Sequence, residues 1–111
     1  MAIGELEQVI LLALAALKGE AHGAAIAQEL EDRLQRSVAP GALYTVLDRL
    51  EGKGFVESWI GESTPSRGGR RRKVYRLCPA GARAMREWYA GIRDLAEGAF
   101  PVLDVIAEGA S

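Results

Sequence analysis

The 111-residue chain has one cysteine, one histidine, two phenylalanines, two tryptophans and four prolines. Cys78 stands alone, so no disulfide forms within the chain and a zinc site built of thiolates is excluded. His22 and Cys78 together are too few for a mixed imidazole–thiolate centre, so no metal is expected. His22 falls in a turn, where capping a helix is the simpler role than catalysis, and no Ser-His-acid arrangement is suggested. Gly68 and Gly69 are not followed by the Gly-Lys-Ser/Thr of a nucleotide-binding P-loop. The longest apolar run, Val9 to Leu17, is too short to span a bilayer, and the N-terminus has no secretory pattern. These absences predict a soluble, cytoplasmic, single-domain protein with no enzymatic activity, no cofactor and no membrane partner.

Almost half of the chain, 49%, is hydrophobic, and 26% is charged, which suits a folded domain. The net charge of −1 hides an uneven distribution. Residues 1–39 sum to −3, residues 40–77 to +4 and residues 78–111 to −2. A neutral protein with a cationic middle third attracts phosphate locally rather than everywhere.

Apolar residues recur at helical spacing at Ile3, Leu6, Val9/Ile10, Ala13/Leu14 and Leu17, which predicts a helix over about 3–18. Lys18-Gly19 ends it with a cation and a left-handed glycine just past the helix. Leu11 and Leu12 lie off the main stripe. After a short turn, Gly19 to His22, Ile26, Leu30 and Leu34 mark a second helix over about 23–35. Ser37-Val38-Ala39 is a break, and Pro40 suits the first position of a third helix, about 40–53, with Leu43, Val46/Leu47 and Leu50 inward. The spacing then changes. Segments 55–61 and 71–77 are aromatic and β-branched, as strands are, around a polar loop rich in glycine and arginine. Pro79 opens a fourth helix, and an apolar tail follows Gly98. The resulting fold class is mainly α (α+β): a winged helix-turn-helix over 1–78, then a C-terminal dimerisation helix and tail over 79–111.

In a helix-turn-helix the second helix of the pair enters the major groove N-terminus first. Pro40, Gly41 and Ala42 would then lie nearest the duplex, with small side chains and the positive end of the helix dipole. Tyr44 and Thr45 supply hydroxyls and Arg49 a charge, although Tyr44 is also suited to packing between helices. The loop from Ser66 to Lys73 holds five cations, Arg67, Arg70, Arg71, Arg72 and Lys73, in eight residues. A charge run alone is usually a solvated surface. Set between two strands and behind three helices, it suits a phosphate backbone or a minor groove. The tail from Phe100 to Ile106 and the aromatic stripe Trp88/Tyr89 exceed what a small monomer exposes, which favours a partner helix covering them.

His22-Gly23-x-x-Ile26-x-x-x-Leu30, Leu43-Tyr44-x-x-Leu47-x-Arg49-Leu50-Glu51-x-x-Gly54 and Gly68-Gly69-Arg70 followed by Tyr75-Arg76-Leu77 carry a family resemblance. The chain resembles the PadR family of bacterial transcriptional regulators from residue 3 to about 95, in the compact subgroup with one helix after the wing. The resemblance implies a homodimeric repressor on pseudo-palindromic double-stranded DNA, in which Leu6, Ile10 and Leu14 of the first helix pair across a two-fold axis with Met85, Trp88, Tyr89, Ile92, Leu95, Phe100 and Leu103 after the wing. It also implies release by a small hydrophobic or aromatic effector, for which Trp88 and Ile92 are the candidates. Ala24, Ala39, Ala42 and Cys78 depart from the family pattern: Ala24 replaces an aromatic residue, and the other three remove hydroxyls or helix caps. A Cys78 thiol at a helix start has a lowered pKa, or it is buried and inert. Two further readings are a winged-helix protein-interaction module and an RNA binder acting through the arginine–glycine loop.

Overall fold

A computed structural model describes residues 4–61 and 72–109. The elements run α1 (Glu5–Ala16), β1 (Glu20–His22), α2 (Gly23–Leu34), α3 (Pro40–Gly52), β2 (Val56–Ile60), β3 (Lys73–Leu77) and α4 (Pro79–Gly109). The three helices, the hairpin and the last helix stand where the apolar spacing puts them. The strands form one antiparallel sheet in the order β1-β3-β2.

α1 is apolar on more than one side, and Leu11 is as completely buried as Ile10 and Leu14. These three meet Ile26 and Leu30 of α2, and Leu43, Leu47 and Leu50 of α3, in one cluster closed by Val56, Tyr75 and Met85. Each fully buried aliphatic side chain contributes roughly 1.5–3 kcal/mol. The cluster therefore fixes how the helices cross and what each presents outward.

α1 closes with the paired bonds of a Schellman turn: the Lys18 amide donates to the Ala15 carbonyl at 3.0 Å and the Gly19 amide to Leu14 at 2.9 Å. Lys18, not Gly19, takes the first left-handed position, with φ 71°. α3 ends the same way on Gly54, with φ 77°, and the Phe55 amide reaches the Leu50 carbonyl at 3.0 Å.

Two expectations are corrected here. Glu20-Ala21-His22, read as a turn, is an edge strand pairing with Arg76, Tyr75 and Val74 of β3. Three residues are too few for alternation to show. The C-terminal segment, read as a tail after Gly98, is a continuation of α4, which runs 31 residues through Pro101. Proline removes an amide from the helix and presses on the preceding turn, which is why the sequence suggested an end there. The spacing of Leu95, Ala99, Leu103 and Ile106 is nevertheless helical throughout. At 1.5 Å per residue α4 is roughly 46 Å long, and it accounts for the elongated shape of 57 × 31 × 22 Å. Among the described residues, no helix is long and apolar enough to cross a membrane.

Candidate nucleic-acid interface

α3 starts at Pro40 behind Ala39, which gives its first turn no side-chain cap. Its inward stripe of Leu43, Val46, Leu47 and Leu50 is buried, which turns Pro40, Gly41, Ala42, Tyr44, Thr45 and Arg49 to solvent on the other side. All six α3 candidates thus share one exposed face.

Tyr44 is 41% exposed, so it neither packs fully between helices nor stands free. Its ring lies across the start of α2, where a Cβ on Gly23 would come within 2.6 Å of the hydroxyl oxygen. A glycine is required at 23 for the tyrosine to lie there. The other side of Tyr44 faces Tyr75 of β3, with ring centroids 6.4 Å apart. Tyr75 is buried, and burial first, then the charge of Asp48, pushes its phenol up to about 12. It therefore stays a neutral packing element. The Lys73 ammonium sits 5.7 Å from the Tyr75 ring centre and 4.0 Å from the Asp48 carboxylate of α3. Tyr44 and Asp48 thus hold α3 against Tyr75 and Lys73 of β3.

Beside these contacts lies an open cavity of about 300 Å³ lined by His22, Gly23, Ala24, Tyr44, Arg72 and Lys73. Of these, Tyr44, Arg72 and Lys73 are sequence candidates. His22, Gly23 and Ala24 come from the start of α2 and were not. Their signal was the His-Gly pair, whose spatial closeness to Tyr44 no spacing reveals. Arg67, Arg70 and Arg71 lie outside the described residues. On the outer face of the sheet, Arg76 stacks 4.9 Å over Trp59 and pairs with Glu57, so it serves the wing's own stability.

The far end of α3 is tied down by charges that sequence reasoning missed. Glu7 of α1 is buried and accepts from the Lys53 ammonium at 2.7 Å and the Gly4 amide at 2.9 Å. Burial raises a carboxyl pKa, but these two donors outweigh it and Glu7 ends below its usual range. The Ser58 hydroxyl donates to Glu51 at 2.9 Å, joining β2 to α3. The Cys78 thiol is raised by burial rather than lowered by the helix start, which removes the activated-thiol reading.

The dimer candidates divide. Ile10 and Leu14 are completely buried and Met85 is 6% exposed, so these three belong to the protomer's own core and have no surface left for a partner. Leu6 is half-buried and Trp88 packs partly buried against the core. Tyr89, Ile92, Leu95, Phe100 and Leu103 are exposed along α4, with Val102, Val105 and Ile106 beside them. Between α1 and α2 an apolar cavity of about 250 Å³ is lined by Val9, Leu12, Ala13, Ala16, Leu30 and Leu34, with the Glu29–Arg33 ion pair on its wall at 3.0 Å. Among the described residues, no group of three or more His, Cys, Asp or Glu side chains is placed to hold a metal ion.

Residues 10–87 match the family described as the Transcriptional regulator PadR-like family. The chain belongs to this PadR-like family of transcriptional regulators. It is 41% identical over 81 residues to Transcriptional regulator Rv3488 of Mycobacterium tuberculosis, covering 73% of this chain and 71% of that protein. Among solved structures, the PadR family transcriptional regulator of Eggerthella lenta is 30% identical, with 89% of this chain and 86% of that chain covered at a TM-score of 0.68. Bacillus subtilis PadR, solved in complex with operator DNA, shares the fold at 23% identity and a TM-score of 0.67, over 79% of this chain and 48% of its own. Regulators of the PadR-like family are not enzymes, and no catalytic constellation was expected from the sequence.

Proposed function

We propose that this PadR-like regulator is a homodimeric repressor that binds a pseudo-palindromic promoter site through α3 and the basic wing. One observation carries the reading: the exposed N-terminal face of α3 and the cations of β3 are held together by Tyr44, Tyr75, Lys73 and Asp48. An N-terminal turn free of acidic side chains faces the groove, and the adjoining cations meet the backbone. That Bacillus subtilis PadR was solved on operator DNA supports the same use of the shared fold.

The apolar side of α4 supports the dimer. Leu95 is 72% exposed and Val105 71%, and a second copy of this chain covers such a stripe. Two copies would present two wings and two recognition helices to half-sites roughly one turn, about 34 Å, apart. A flat hydrophobic effector would stack on Trp88 and contact Ile92 at or near that interface, loosening the grip on DNA.

The test is a fluorescence titration of a duplex from upstream of the protein's own gene against a scrambled duplex, at several salt concentrations. A preference for the promoter duplex and a steep salt dependence are expected. Replacing Arg70 and Arg71 with Ala weakens binding to both duplexes and lowers the salt slope by roughly 0.9 per lost phosphate contact. Equal affinity for the two duplexes refutes sequence-specific control. A stable complex with another protein and no DNA affinity would instead make this winged helix an interaction module.

A further inference from the structure

The first turn of α1 reaches both ends of α3. Glu7 pairs with Lys53, the residue that closes α3 at its C-terminus, and Glu5 of the same turn pairs with Arg36 in the segment leading into α3. We propose that Glu7, acting through Lys53, is a positioning residue that sets how α3 lies in the DNA groove, with the Glu5–Arg36 pair steadying the other end. The proposal rests on the DNA-binding reading above and goes further by making base recognition depend on a contact at the end of α3 remote from its DNA-facing turn.

Among the described residues, Glu7 is the one charged side chain that is buried, at 5% exposed. Its carboxylate accepts from the Lys53 ammonium at 2.7 Å and from the Gly4 amide at 2.9 Å. Burial works against the charge, and Lys53, the Gly4 amide and Arg49, one turn back along α3, keep it ionised nonetheless. Taking a carboxylate and an ammonium out of water offsets most of their attraction, and apolar residues of similar size in place of such a pair are often as stable or more so. Stability alone therefore does not account for the pair. Orientation does, because apolar packing is non-directional, whereas a hydrogen-bonded ion pair fixes one placement of the two helices. The stripe Leu43, Val46, Leu47 and Leu50 decides which side of α3 is buried, and Lys53 ties the end of the helix to α1. Ala39 gives the opposite end no side-chain cap, so Arg36 in the segment before it meets Glu5 instead. Exposed on both sides, that second pair is the weaker of the two.

A lever argument separates this role from simple support. The 13 residues of α3 span about 20 Å, and Val46 and Leu47 sit near the middle. A shift of about 1 Å at Lys53, pivoting there, is a tilt of roughly 6° over about 9 Å, and it moves the Pro40 turn by a similar distance the other way. Hydrogen bonds to base edges hold over a range of about 0.5 Å, so a displacement of that size breaks them. Long arginine and lysine side chains on phosphates follow the movement. The pair thus acts on the discrimination between sequences and leaves the sequence-independent attraction alone.

The experiment uses the full chain with two duplexes, one from upstream of the protein's own gene and its scramble. Glu7→Met combined with Lys53→Met removes both charges together, so no buried carboxylate is stranded, and water takes over the amide of the exposed Gly4. Expected results are a Tm close to wild type, a preference for the promoter duplex smaller by about tenfold, and an unchanged affinity and salt slope on the scramble. Lys53→Arg keeps the pair and keeps the preference. A merely structural role gives another pattern: the affinities for both duplexes fall in step with stability, and a variant as stable as wild type discriminates as well as wild type. That pattern, or an undiminished preference in the double variant, overturns the proposal. Should the double variant not fold, Glu7→Gln keeps the shape, drops the charge and is read in the same way, with a several-fold loss of preference expected. Residual dipolar couplings of the free protein give the tilt of α3 against α2 without any DNA. A tilt changed by roughly 6° in the variant sustains the positioning role even if wild-type protein shows no promoter preference, a result that sinks the DNA-binding reading alone. An unchanged tilt overturns it.

Discussion

Gly81 sits at the third residue of α4, facing the turn between α3 and β2. A Cβ placed there would lie 2.5 Å from the Phe55 carbonyl oxygen, about 0.9 Å inside the 3.4 Å at which ordinary contact begins. That oxygen cannot give way. It accepts from the Cys78 amide at 2.9 Å, and Phe55 itself is buried. Gly81→Ala must therefore push the base of α4 off the sheet, and overpacking of this kind costs about 1–3 kcal/mol. The helix-propensity gain of up to about 1 kcal/mol is reduced in a first turn and does not offset it. A net loss of about 2 kcal/mol corresponds to a fall in Tm of roughly 8–16 °C for a domain of this size. Gly23→Ala makes an instructive contrast. Its clash is with the far end of a half-exposed tyrosine, which swings out, so stability changes by less than about 1 kcal/mol while DNA affinity falls. Circular dichroism melts at one fixed protein concentration measure the first effect, because the Tm of an oligomer depends on concentration. A Gly81→Ala protein that melts at or above the wild-type temperature refutes the close packing of α4 on Phe55.

Three other outcomes follow from particular contacts. Lys53→Met strands the buried Glu7 carboxylate and costs about 2–3 kcal/mol at neutral pH by urea denaturation, less than a fully enclosed pair because Lys53 keeps some solvent. Because the folded pKa of Glu7 is lowered, its contribution is present above the unfolded carboxyl range and is lost as pH falls through the folded value. In Lys53→Met burial dominates, the sign reverses, and the variant's deficit shrinks on acidification. A deficit independent of pH would falsify that assignment. Cys78, its thiol raised by burial, reacts with iodoacetamide at pH 7.5 more slowly than free glutathione, and equal rates would contradict the contacts described. Leu95→Glu with Leu103→Glu leaves each protomer folded, since both side chains are already exposed, and halves the mass measured by light scattering. An unchanged mass refutes the proposed dimer through α4.

Long apolar stripes were legible in the sequence because helices repeat their burial every turn. Leu43, Val46, Leu47 and Leu50 alone oriented α3 and thereby exposed all six of its site candidates. Hairpin strands were legible from Val56-Glu57-Ser58-Trp59 and Val74-Tyr75, where branched and aromatic residues suit a pleated sheet. β1 was not, because three residues show no alternation and its pairing with β3 joins positions more than fifty apart in the chain. Nothing in the sequence around Glu7 marks it as buried. Its burial depends on Lys53, 46 positions away, which only the packing of α1 against α3 brings near. Ile10, Leu14 and Met85 were assigned to a partner because an apolar face does not say whether its cover is the same chain or another. α4 was cut short at Gly98 because local helix breakers outweighed a spacing that in fact continued to Gly109.

One chain of contacts ties β3 to α3. Gly23 makes room for Tyr44, Tyr44 lies beside Tyr75, Tyr75 carries Lys73 over its ring, and Lys73 returns to Asp48 of α3. Every member belongs to a helix or strand, so Lys73 has a fixed distance from the exposed turn of α3. Arrangement on rigid elements is what lets backbone contacts set register for base contacts. It also accounts for the departures at Ala39 and Ala42. Under the proposed function, α3 lacks a side-chain cap at Ala39 and a hydroxyl at Ala42, so its affinity for DNA would come from its uncapped amides and from the cations that Tyr75 and Asp48 hold beside it.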